Sequence, residues 1–443
     1  GAEVALPVAC ALEVRHTALL GERGAGVVRV AAQVDPEPGR VLDQHLVGDP
    51  YGGQAGVRRH GQRRQSEEPV SWVVEDALER LEPRAKVEIE GRTVALRAWR
   101  YAIAGGRGAE VPVYLLDTDL PENDERDRAL SGSLYRGDER YRLRQEVLLG
   151  IGGLRMLRAL GYRRLQRYHL NEGHAGLVAL ALLEEMLGGQ RDTRGRLHRL
   201  LSEIRAHCVF TTHTPVPAGH DIFPADLVQE VLGEDRAALL KAFGQRESLN
   251  LTDLALRSSR FVNGVAMRHG EVSRQMFSGY PIRSITNGIH PPTWATRSFA
   301  ALFDLHIPDW RSDPVSLRYA VRIPLAEIGW AHRRAKRQLI DRINRESDAD
   351  FDEETLTIGF ARRATAYKRP TLIFHDLKRL TQLAERRGPL QLVFAGKAHP
   401  RDEQGKASIR EIFAVREALR GRIEIAYLAN HDMTLGKLLC GGC

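Results

Sequence analysis

The sequence is poor in cysteine and contains no long apolar run, and each absence excludes a class of protein. Four cysteines in 443 residues, at positions 10, 208, 440 and 443, are too few for a disulfide framework, which favours a reducing cytoplasm. No window approaches ~18 uninterrupted apolar residues, so we predict no membrane-spanning helix. The opening stretch, GAEVALPVAC, lacks a basic segment followed by an apolar core, and we predict no secretory signal.

Patterns typical of metal or nucleic-acid binding are also weak. Cys440 and Cys443 form a single CxxC with no second CxxC and no pair of histidines nearby. The net charge of +8 is compatible with nucleic acid, but acidic and basic residues are interleaved, as in residues 136–146, without an aromatic-rich basic stripe. We interpret this balance as solvated charged faces with affinity for anionic substrates, and we predict neither a metal site nor a nucleic-acid partner.

The most informative stretch is IGFARRATAYKR, residues 358–369. Alternating apolar residues at 356, 358 and 360 predict a buried strand. Cations follow the end of this strand, and they are Arg362, Arg363, Lys368 and Arg369. Ligands of open α/β sheets bind outside the carboxyl ends of strands, and clustered like charges repel unless an anion lies among them. Spacing alone leaves two interpretations open, a phosphate-handling loop and a solvated basic turn before a helix.

Polar residues also follow two earlier predicted strands. Residues 167–185 predict a short strand, a turn at 171–173 and an apolar helix. His169, Glu172 and His174 give H-x-x-E-x-H, which is one residue longer than the inverted zinc-protease motif, so contacts with a hydroxylated ligand are favoured over zinc. A strand beginning at 208 runs into a proline-rich loop with His213, for which we favour a functional role. Structural and functional roles stay open for His220 and Asp221.

Periodicity predicts a hairpin early in the chain and βαβ units late in it. Strands are predicted at 87–89, 93–99 and 111–116, with a turn at 90–92. A helix is predicted over 136–160, where the glycines at 150, 152 and 153 are attributed to close helix packing because no strand precedes them. The late pattern is strand 355–361, helix 370–386, strand 390–395, helix 405–419, strand 422–428 and a helix from 433.

Several stretches together resemble the α-glucan phosphorylase family of glycogen, starch and maltodextrin phosphorylases, and are closest to its shorter bacterial and archaeal branch. They follow the family's order from about residue 70 to the end, which makes the resemblance highly specific. The stretches are YRGDERYRLRQEVLLGIGGLRMLRALG, YHLNEGHAGL, FTTHTPVPAGHDIF, NGVAMRHGEVSRQMF, SITNGIHPPTW, IGFARRATAYKRPTLIF and FAGKAHPRDEQGK.

The resemblance implies an α/β fold of the GT-B type, in which two Rossmann-like domains face a cleft. Residues 69–290 would form part of the N-terminal domain, 291–350 a helical bridge and 351–443 the first half of the C-terminal domain. Residues 1–68 have poor periodicity and stay unassigned, as a disordered segment or one outside the fold. A sheet of three parallel strands in the last part would leave one edge uncovered.

The resemblance also implies a reaction and its participants. The reaction is phosphorolysis of a terminal α-1,4-glucosyl unit of glycogen or maltodextrin to α-glucose 1-phosphate. The cofactor is pyridoxal 5′-phosphate, whose phosphate rather than aldehyde does the chemistry in this family. The partners are α-glucan and inorganic phosphate in the cytoplasm, without nucleic acid or membrane, and a homo-oligomer stays open.

The motif matches assign roles on the phosphate side of this reaction. Arg363 would hold the substrate phosphate, and Lys368 would lie between the substrate and cofactor phosphates. Arg362 would contact the cofactor phosphate, and Trp294 would line the cofactor pocket. Two adjacent phosphates repel by several kcal/mol at an effective dielectric of about 20, which such a cluster of cations can offset.

On the sugar side, the matches assign hydrogen-bonding residues. His213 would contact the glucosyl hydroxymethyl group, and Asn287 would bind glucosyl hydroxyls. Asn171, Glu172 and His174 match a polar turn that lines the family's cleft.

Three departures from the family pattern predict an interior piece of a longer chain. The lysine segment of the type SGTSGMK, which anchors the cofactor, is absent, as is the upstream glycine-rich phosphate loop, and residues 1–68 do not match the family. One alternative is therefore a non-catalytic glucan-binding remnant. Another is a GT-B glycosyltransferase that uses a nucleotide sugar, but its glycine-rich early loop and late acidic pair are not found in the sequence.

Overall fold

The computed structural model describes residues 74–104, 110–132, 137–189, 194–398, 402–429 and 431–443, and, before them, the backbone of several short strands. The described residues form an α/β protein with parallel strands, which confirms the α/β part of the predicted fold class, while the GT-B arrangement stays a prediction. They fall into two compact units, and the chain passes from the first to the second between Ile289 and His290. Among these residues no helix combines the length and the apolar character needed to cross a bilayer.

The strands, in chain order, are β1 Ala11–His16, β2 Gly26–Ala31, β3 Gly53–Gly56, β4 Arg64–Glu67, β5 Glu79–Ile89, β6 Arg92–Ala104, β7 Glu110–Asp117, β8 Leu165–Asn171, β9 Cys208–Thr212, β10 Ile222–Pro224, β11 Ser248–Asn250, β12 Phe261–Gly264, β13 Ile282–Ser284, β14 Leu356–Ala361, β15 Leu390–Ala395 and β16 Glu424–Leu428.

The α-helices are α1 Val74–Ala77, α2 Glu125–Arg128, α3 Glu139–Val147, α4 Gly153–Ala159, α5 Val178–Leu187, α6 Arg194–His207, α7 Ala225–Leu232, α8 Glu234–Leu240, α9 Leu251–Arg257, α10 Met267–Met276, α11 Pro291–Trp294, α12 Arg297–His306, α13 Leu325–Glu346, α14 Leu377–Arg387, α15 Glu403–Ala418 and α16 Met433–Gly442.

The first unit is built on a sheet of order β13-β12-β9-β8-β2-β1-β7-β6-β5. Its strands from β13 to β2 are parallel neighbours, and those from β2 to β5 pair antiparallel. β1 and β2 come from residues 1–68, where the sequence predicted no structure. It did not predict these strands because each short apolar stretch is flanked by Gly- and Arg-rich residues. Most other residues of that segment lie outside the described ones, so its assignment and the division at 290 and 350 stay predictions.

The predicted hairpin and the predicted helix with glycines are both confirmed. β5 and β6 are joined by Glu90 and Gly91, which have φ of 52° and 71°, the left-handed pair that a two-residue hairpin turn requires. α3 runs through the π-helical turn Leu148–Gly152 into α4. A Cβ on Gly150 would lie 2.6 Å from Leu177 Cβ, so the helix packs too closely there for a side chain.

The second unit contains a parallel sheet of order β14-β15-β16, as the βαβ pattern predicts. The prediction that β14 is buried is wrong in part: Leu356 and Ile358 are 64% and 41% exposed, and of the three alternating apolar residues Phe360 alone packs against the core. β14 has a neighbouring strand on one side only in the described sheet, so fewer side chains surround its apolar face. Its carboxyl end nevertheless lies beside that of β15, which positions the cations considered next.

Candidate functional site

The polar residues of the first unit follow parallel strands that lie side by side. β8, β9, β12 and β13 are consecutive neighbours with the same direction, so their carboxyl ends meet at one edge of the sheet. Asn171 ends β8, His213 follows β9, and Asn287 follows β13 by three residues. The structure therefore brings the predicted sugar-side residues to a common edge, which is where ligands of open α/β sheets bind.

Glu172 ties two of these strand ends together. Its backbone N–H donates to Thr211 O at 2.9 Å, and its carboxylate accepts from His213 N–H at 2.6 Å and from Gly173 N–H at 3.3 Å. Its φ of 64° is unusual for a residue other than glycine and turns the chain sharply after β8. The buried Glu172 thus fixes the turn that carries His174 and the start of the loop that carries His213.

His174 lies in a buried network of charged groups. Its Nδ1 is 2.8 Å from Glu146 Oε1 on α3 and 3.7 Å from Asp221 Oδ2 in the loop after β9. Arg142 on α3 donates a hydrogen bond to the other oxygen of Asp221. Burial opposes the charged imidazolium, but the carboxylates of Glu146, Asp221 and Glu172 outweigh it and raise the pKa of His174 to about 9. Burial raises the pKa of the Glu146 carboxyl, and the neighbouring His174 opposes that rise.

Of the other sugar-side residues, two offer polar groups without a strong internal role. Asn171 Oδ1 is buried and has no hydrogen-bond partner among the described residues. An unsatisfied buried acceptor is uncommon in folded proteins. Asn287 is exposed and is held through its backbone, whose N–H donates to Val265 O at 2.9 Å. Only the Asn287 side chain is therefore exposed to a ligand in solution, whereas Asn171 Oδ1 is enclosed.

The structure separates His169 and His220 from this set. His169 Nε2 lies 2.7 Å from Thr211 Oγ1 instead of joining Glu172 and His174 in a cluster. His220 Nδ1 lies 2.9 Å from Thr252 Oγ1, and its ring packs edge-on against Phe277 at 5.2 Å. Burial lowers the pKa of His220, so it favours the neutral form. These contacts favour a structural role for His220, and the choice between the two roles stays open.

Sequence analysis missed Glu146 and Arg142, and it left Asp221 undecided. Residues 136–146 were interpreted as a solvated charged face, but Arg144, Gln145 and Glu146 are buried, so that interpretation is wrong for them. The signal was present in part, because Glu146 is followed at once by the apolar run that α3 continues into. Nothing in the local sequence indicated that this carboxylate would meet a histidine from another element.

The same three side chains, Glu146, His174 and Asp221, are close enough together to consider a cation. However, Nδ1 and Oε1 lie at hydrogen-bond distance, and Asp221 is already paired with the Arg142 guanidinium. The arrangement is thus that of an ion-pair network with its own positive charges. The absence of a metal site stays a prediction.

In the second unit, a loop with several cations is fixed against a glycine. After β14, Arg362 N–H donates to Ala395 O at 3.1 Å and Ala364 N–H to Lys397 O at 2.9 Å. Gly396 has a φ of 150°, and a Cβ on it would lie only 2.0 Å from Arg362 O. The two strand ends can therefore approach only with glycine at position 396.

The predicted phosphate-side cations lie on this loop. Arg362 and Arg363 are exposed, and Lys368 is half-buried in the short 3₁₀ helix Ala366–Lys368. Burial, then the charges of Arg362 and Arg363, lower the pKa of Lys368. Among the described residues no carboxylate forms an ion pair with Arg362 or Lys368. The loop is thus a cluster of positive charge that a bound anion would relieve.

Trp294, predicted to line a cofactor pocket, ends the short helix α11 of the second unit. Pro291 and Pro292 begin this helix, because proline is tolerated at the first helical positions. A Cβ on Gly436 would lie 3.3 Å from Trp294 Cζ3, so the indole lies against α16. The role of Trp294 stays a prediction.

The chain is an α/β protein with side chains suited to ligand binding at its strand ends. In the first unit these side chains are polar and follow parallel strands, and in the second unit they are cations that follow β14. Comparison with known proteins identifies the family to which the chain belongs. The sequence profile described as carbohydrate phosphorylase matches residues 220–443, which is about half of the chain. The chain belongs to the carbohydrate phosphorylase family, which confirms the resemblance predicted from its motifs.

Individual relatives agree with the family profile. The chain is 36% identical over 402 residues to a glycogen phosphorylase of Mycobacterium tuberculosis, covering 80% of this chain and 46% of that protein. It is 37% identical over 388 residues to a maltodextrin phosphorylase of Thermococcus litoralis, covering 81% of this chain and 46% of that protein. A glycogen phosphorylase of Aquifex aeolicus is 33% identical over 370 residues, covering 74% and 53%. The chain thus spans about half the length of the curated relatives it matches.

Proposed function

We propose that the chain acts as an α-glucan phosphorylase, transferring a terminal α-1,4-glucosyl unit of glycogen or maltodextrin to inorganic phosphate to give α-glucose 1-phosphate. The observation that carries this proposal is the cation cluster after β14, in which Arg362 and Lys368 lack a carboxylate partner among the described residues. The proposed sugar substrate is the one named in the relatives, which are glycogen and maltodextrin phosphorylases. The architecture proposed with this function is the GT-B type, two Rossmann-like domains facing a cleft.

The cluster suits phosphate for a physical reason. Two unit charges about 4 Å apart interact by roughly 4 kcal/mol at an effective dielectric of about 20, so neighbouring cations destabilise one another. Burial, followed by that repulsion, lowers the pKa of Lys368. A phosphate dianion bound among these side chains reverses the sign of the interaction, and the fork of Arg363 suits its oxygens.

The sugar-side residues are proposed to bind the glucosyl unit. The unpartnered Asn171 Oδ1 and the exposed Asn287 side chain offer hydrogen bonds to hydroxyl groups. His213 is proposed to contact the hydroxymethyl group, with its backbone held by Glu172. In the proposed reaction, the substrate phosphate donates a proton to the glycosidic oxygen as its bond to the anomeric carbon breaks. The same phosphate then bonds to that carbon, through a transition state with positive charge on the sugar ring.

Pyridoxal 5′-phosphate is the cofactor proposed for this site. The residues present fit its phosphate, since the positive charge on Arg362 and Lys368 is not neutralised by described carboxylates. Arg362 and Lys368 would hold that phosphate, and Trp294 would lie against the ring. When bound, the cofactor phosphate would exchange a proton with the substrate phosphate. The role of this chain would be to hold both anions and to offset the repulsion between them.

The test compares Arg363→Ala with Arg379→Ala, an exposed arginine of α14 in the same unit that serves as a matched control. Phosphate affinity is followed by 31P NMR, maltoheptaose affinity by calorimetry, and glucose 1-phosphate by a coupled assay. Loss of a charge-assisted hydrogen bond should weaken phosphate binding by about tenfold or more in Arg363→Ala. Glucan affinity should stay within twofold, and Arg379→Ala should match the original protein.

The outcomes separate the proposal from its alternatives. Equal loss of phosphate and glucan affinity in Arg363→Ala would contradict the role of Arg363. Glucan binding without phosphate binding or glucose 1-phosphate formation would favour a non-catalytic glucan-binding protein. Turnover that depends on a nucleotide sugar would favour the other GT-B class. Absorbance in the pyridoxal Schiff-base band after addition of the cofactor would show that a lysine of this chain can anchor it.

A further inference from the structure

Two cysteines lie one helical turn apart in the second unit. Cys440 is within the helix α16, and Cys443 directly follows the last residue of that helix. The backbone N–H of Cys443 donates to Leu439 O at 3.2 Å, so the helical hydrogen bonding continues as far as Cys443. Cys440 and Cys443 thus occupy positions i and i+3, which are neighbours on one face of a helix.

This spacing is compatible with a disulfide bond between the two residues. In an α-helix the Cα atoms of residues i and i+3 are about 5 Å apart, and disulfides join Cα atoms that are about 4.4–6.8 Å apart. The Cβ atoms of such a pair are about 5–6 Å apart and must approach to about 3.8 Å. The bond therefore requires a movement of about 1–2 Å.

The two glycines between the cysteines fix the backbone of this turn. A Cβ on Gly441 would lie 2.5 Å from Thr296 Cγ2, and a Cβ on Gly442 would lie 3.0 Å from Leu339 Cβ on α13. The backbone of this turn therefore packs directly against its neighbours, without side chains in between. The movement that a disulfide requires must come from Cys443, which lies beyond both glycines at the end of the helix.

The two thiols differ in their surroundings. Cys440 is exposed. Cys443 is also exposed as a residue, but its sulfur faces β14, where a Cβ on Gly359 would lie 2.7 Å from Sγ. Burial, and after it the neighbouring Cys440, raise the pKa of the Cys443 thiol to about 11. A small molecule in solution should therefore react first with Cys440, because thiol reactivity depends on access and on the thiolate form.

We propose that Cys440 and Cys443 are a thiol–disulfide exchange pair whose oxidant is a small-molecule disulfide. The Cys440 thiolate attacks one sulfur of that disulfide, forms a mixed disulfide and expels one thiolate. Cys443 then loses its proton to solvent and attacks the Cys440 sulfur, which closes the internal disulfide and expels the second thiolate. In total the two cysteines lose two electrons and two protons, and the small-molecule disulfide becomes two thiols.

The pair does not depend on the proposed glucan reaction, since none of the residues proposed for that reaction takes part in the exchange. A reversible bond of this kind is also compatible with the reducing cytoplasm that the sequence favours, where disulfides are usually transient.

The test treats the full chain with oxidised glutathione as the probe disulfide, and then blocks the remaining thiols with N-ethylmaleimide. Trypsin cleavage after Lys437 places both cysteines in one peptide, residues 438–443. In the original chain this peptide should carry no maleimide and should be two hydrogen atoms lighter than its reduced form. Dithiothreitol should restore both thiols. The buried Cys208 is the internal control and should acquire no glutathione while the chain stays folded.

Three variants separate the roles of the cysteines. Cys443→Ser should stop at the mixed disulfide, with glutathione on Cys440. Cys440→Ser should acquire glutathione on Cys443 about tenfold more slowly, because that thiol is partly covered and protonated at neutral pH. Cys10→Ser removes a cysteine outside the pair, and it is the matched control that should form the internal disulfide like the original chain.

Several results would overturn the proposal. Glutathione that accumulates on Cys440 of the original chain, without the internal bond, would show that Cys443 does not complete the exchange. Disulfides between two chains, seen as dimers on a non-reducing gel in place of the internal bond, would contradict the pairing. Equal rates of glutathione uptake in Cys440→Ser and Cys443→Ser would contradict the order of attack. The first two results come from the original chain and need no variant to fold.

Discussion

Gly396→Ala is the substitution that should most directly disrupt the cation loop of the second unit. The added Cβ would lie 2.0 Å from Arg362 O, a backbone atom that cannot rotate away, and the φ of 150° disfavours any side chain. The substitution removes no charge and no side-chain contact. Any effect on anion binding must therefore come from displacing the loop.

Its cost can be estimated from the structure. Backbone strain at such a position contributes about 1–3 kcal/mol, and loss of the hydrogen bond between Arg362 N–H and Ala395 O about 1 kcal/mol more. We expect a total loss of about 2–4 kcal/mol in the unfolding of the second unit. Gly388→Ala is a matched control, because Gly388 has a φ of 113° but open space around its Cβ position. It should lose about 1–3 kcal/mol from strain alone.

The assay combines urea unfolding with hydrogen exchange, read by mass spectrometry over residues 356–398. Gly396→Ala should speed exchange after β14 and β15, and it should weaken phosphate binding, whereas Gly388→Ala should leave phosphate binding unchanged. If the two variants lost equal stability and both kept phosphate affinity, the close approach at position 396 would not position the cations. The reasoning from geometry to anion binding would then fail.

Two further predictions concern buried groups of the first unit. Gly150→Ala should destabilise the first unit by about 1–3 kcal/mol in urea, because its Cβ would overlap Leu177, while Gly195→Ala on α6, with open space, should stay within about 1 kcal/mol of the original. A cost for Gly150→Ala no larger than that for Gly195→Ala would contradict the packing argument. Burial raises the pKa of the Cys208 thiol to about 12, so native alkylation should modify the exposed Cys440 and spare Cys208 until the chain unfolds. Mass spectrometry of the alkylated peptides decides this, and early modification of Cys208 would contradict its burial.

The sequence predicts the strand ends well because a short apolar run and the polar residue after it are local features. The hairpin at Glu90 and Gly91 and the parallel β14, β15 and β16 were all predicted in place, since turn residues and βαβ spacing depend on nearby sequence. Once the strands were predicted, the polar residues at their carboxyl ends could be identified directly. Their meeting at one edge needed only the rule that parallel strands share a direction.

What the sequence did not predict depends on long-range neighbours. The exposure of Ile358 follows from its strand having one described neighbour, and an alternating pattern does not distinguish an edge strand from a central one. The role of Glu146 depends on a histidine from another element. Charged residues spaced along a helix are usually solvated, so burial of this one is visible only once α3 is packed against the sheet.

The charges of the two units point to ligands of different kinds. In the first unit the buried carboxylates have internal partners, since Glu172 accepts backbone N–H groups, Asp221 pairs with Arg142 and Glu146 pairs with His174. Such an edge needs no further charge and suits a neutral ligand rich in hydroxyls. In the second unit Arg362 and Lys368 have no carboxylate partner among the described residues, which supports the proposal of an anionic ligand there. Considered by itself, each unit thus supports one of the two proposed substrates, a neutral glucan for the first unit and inorganic phosphate for the second.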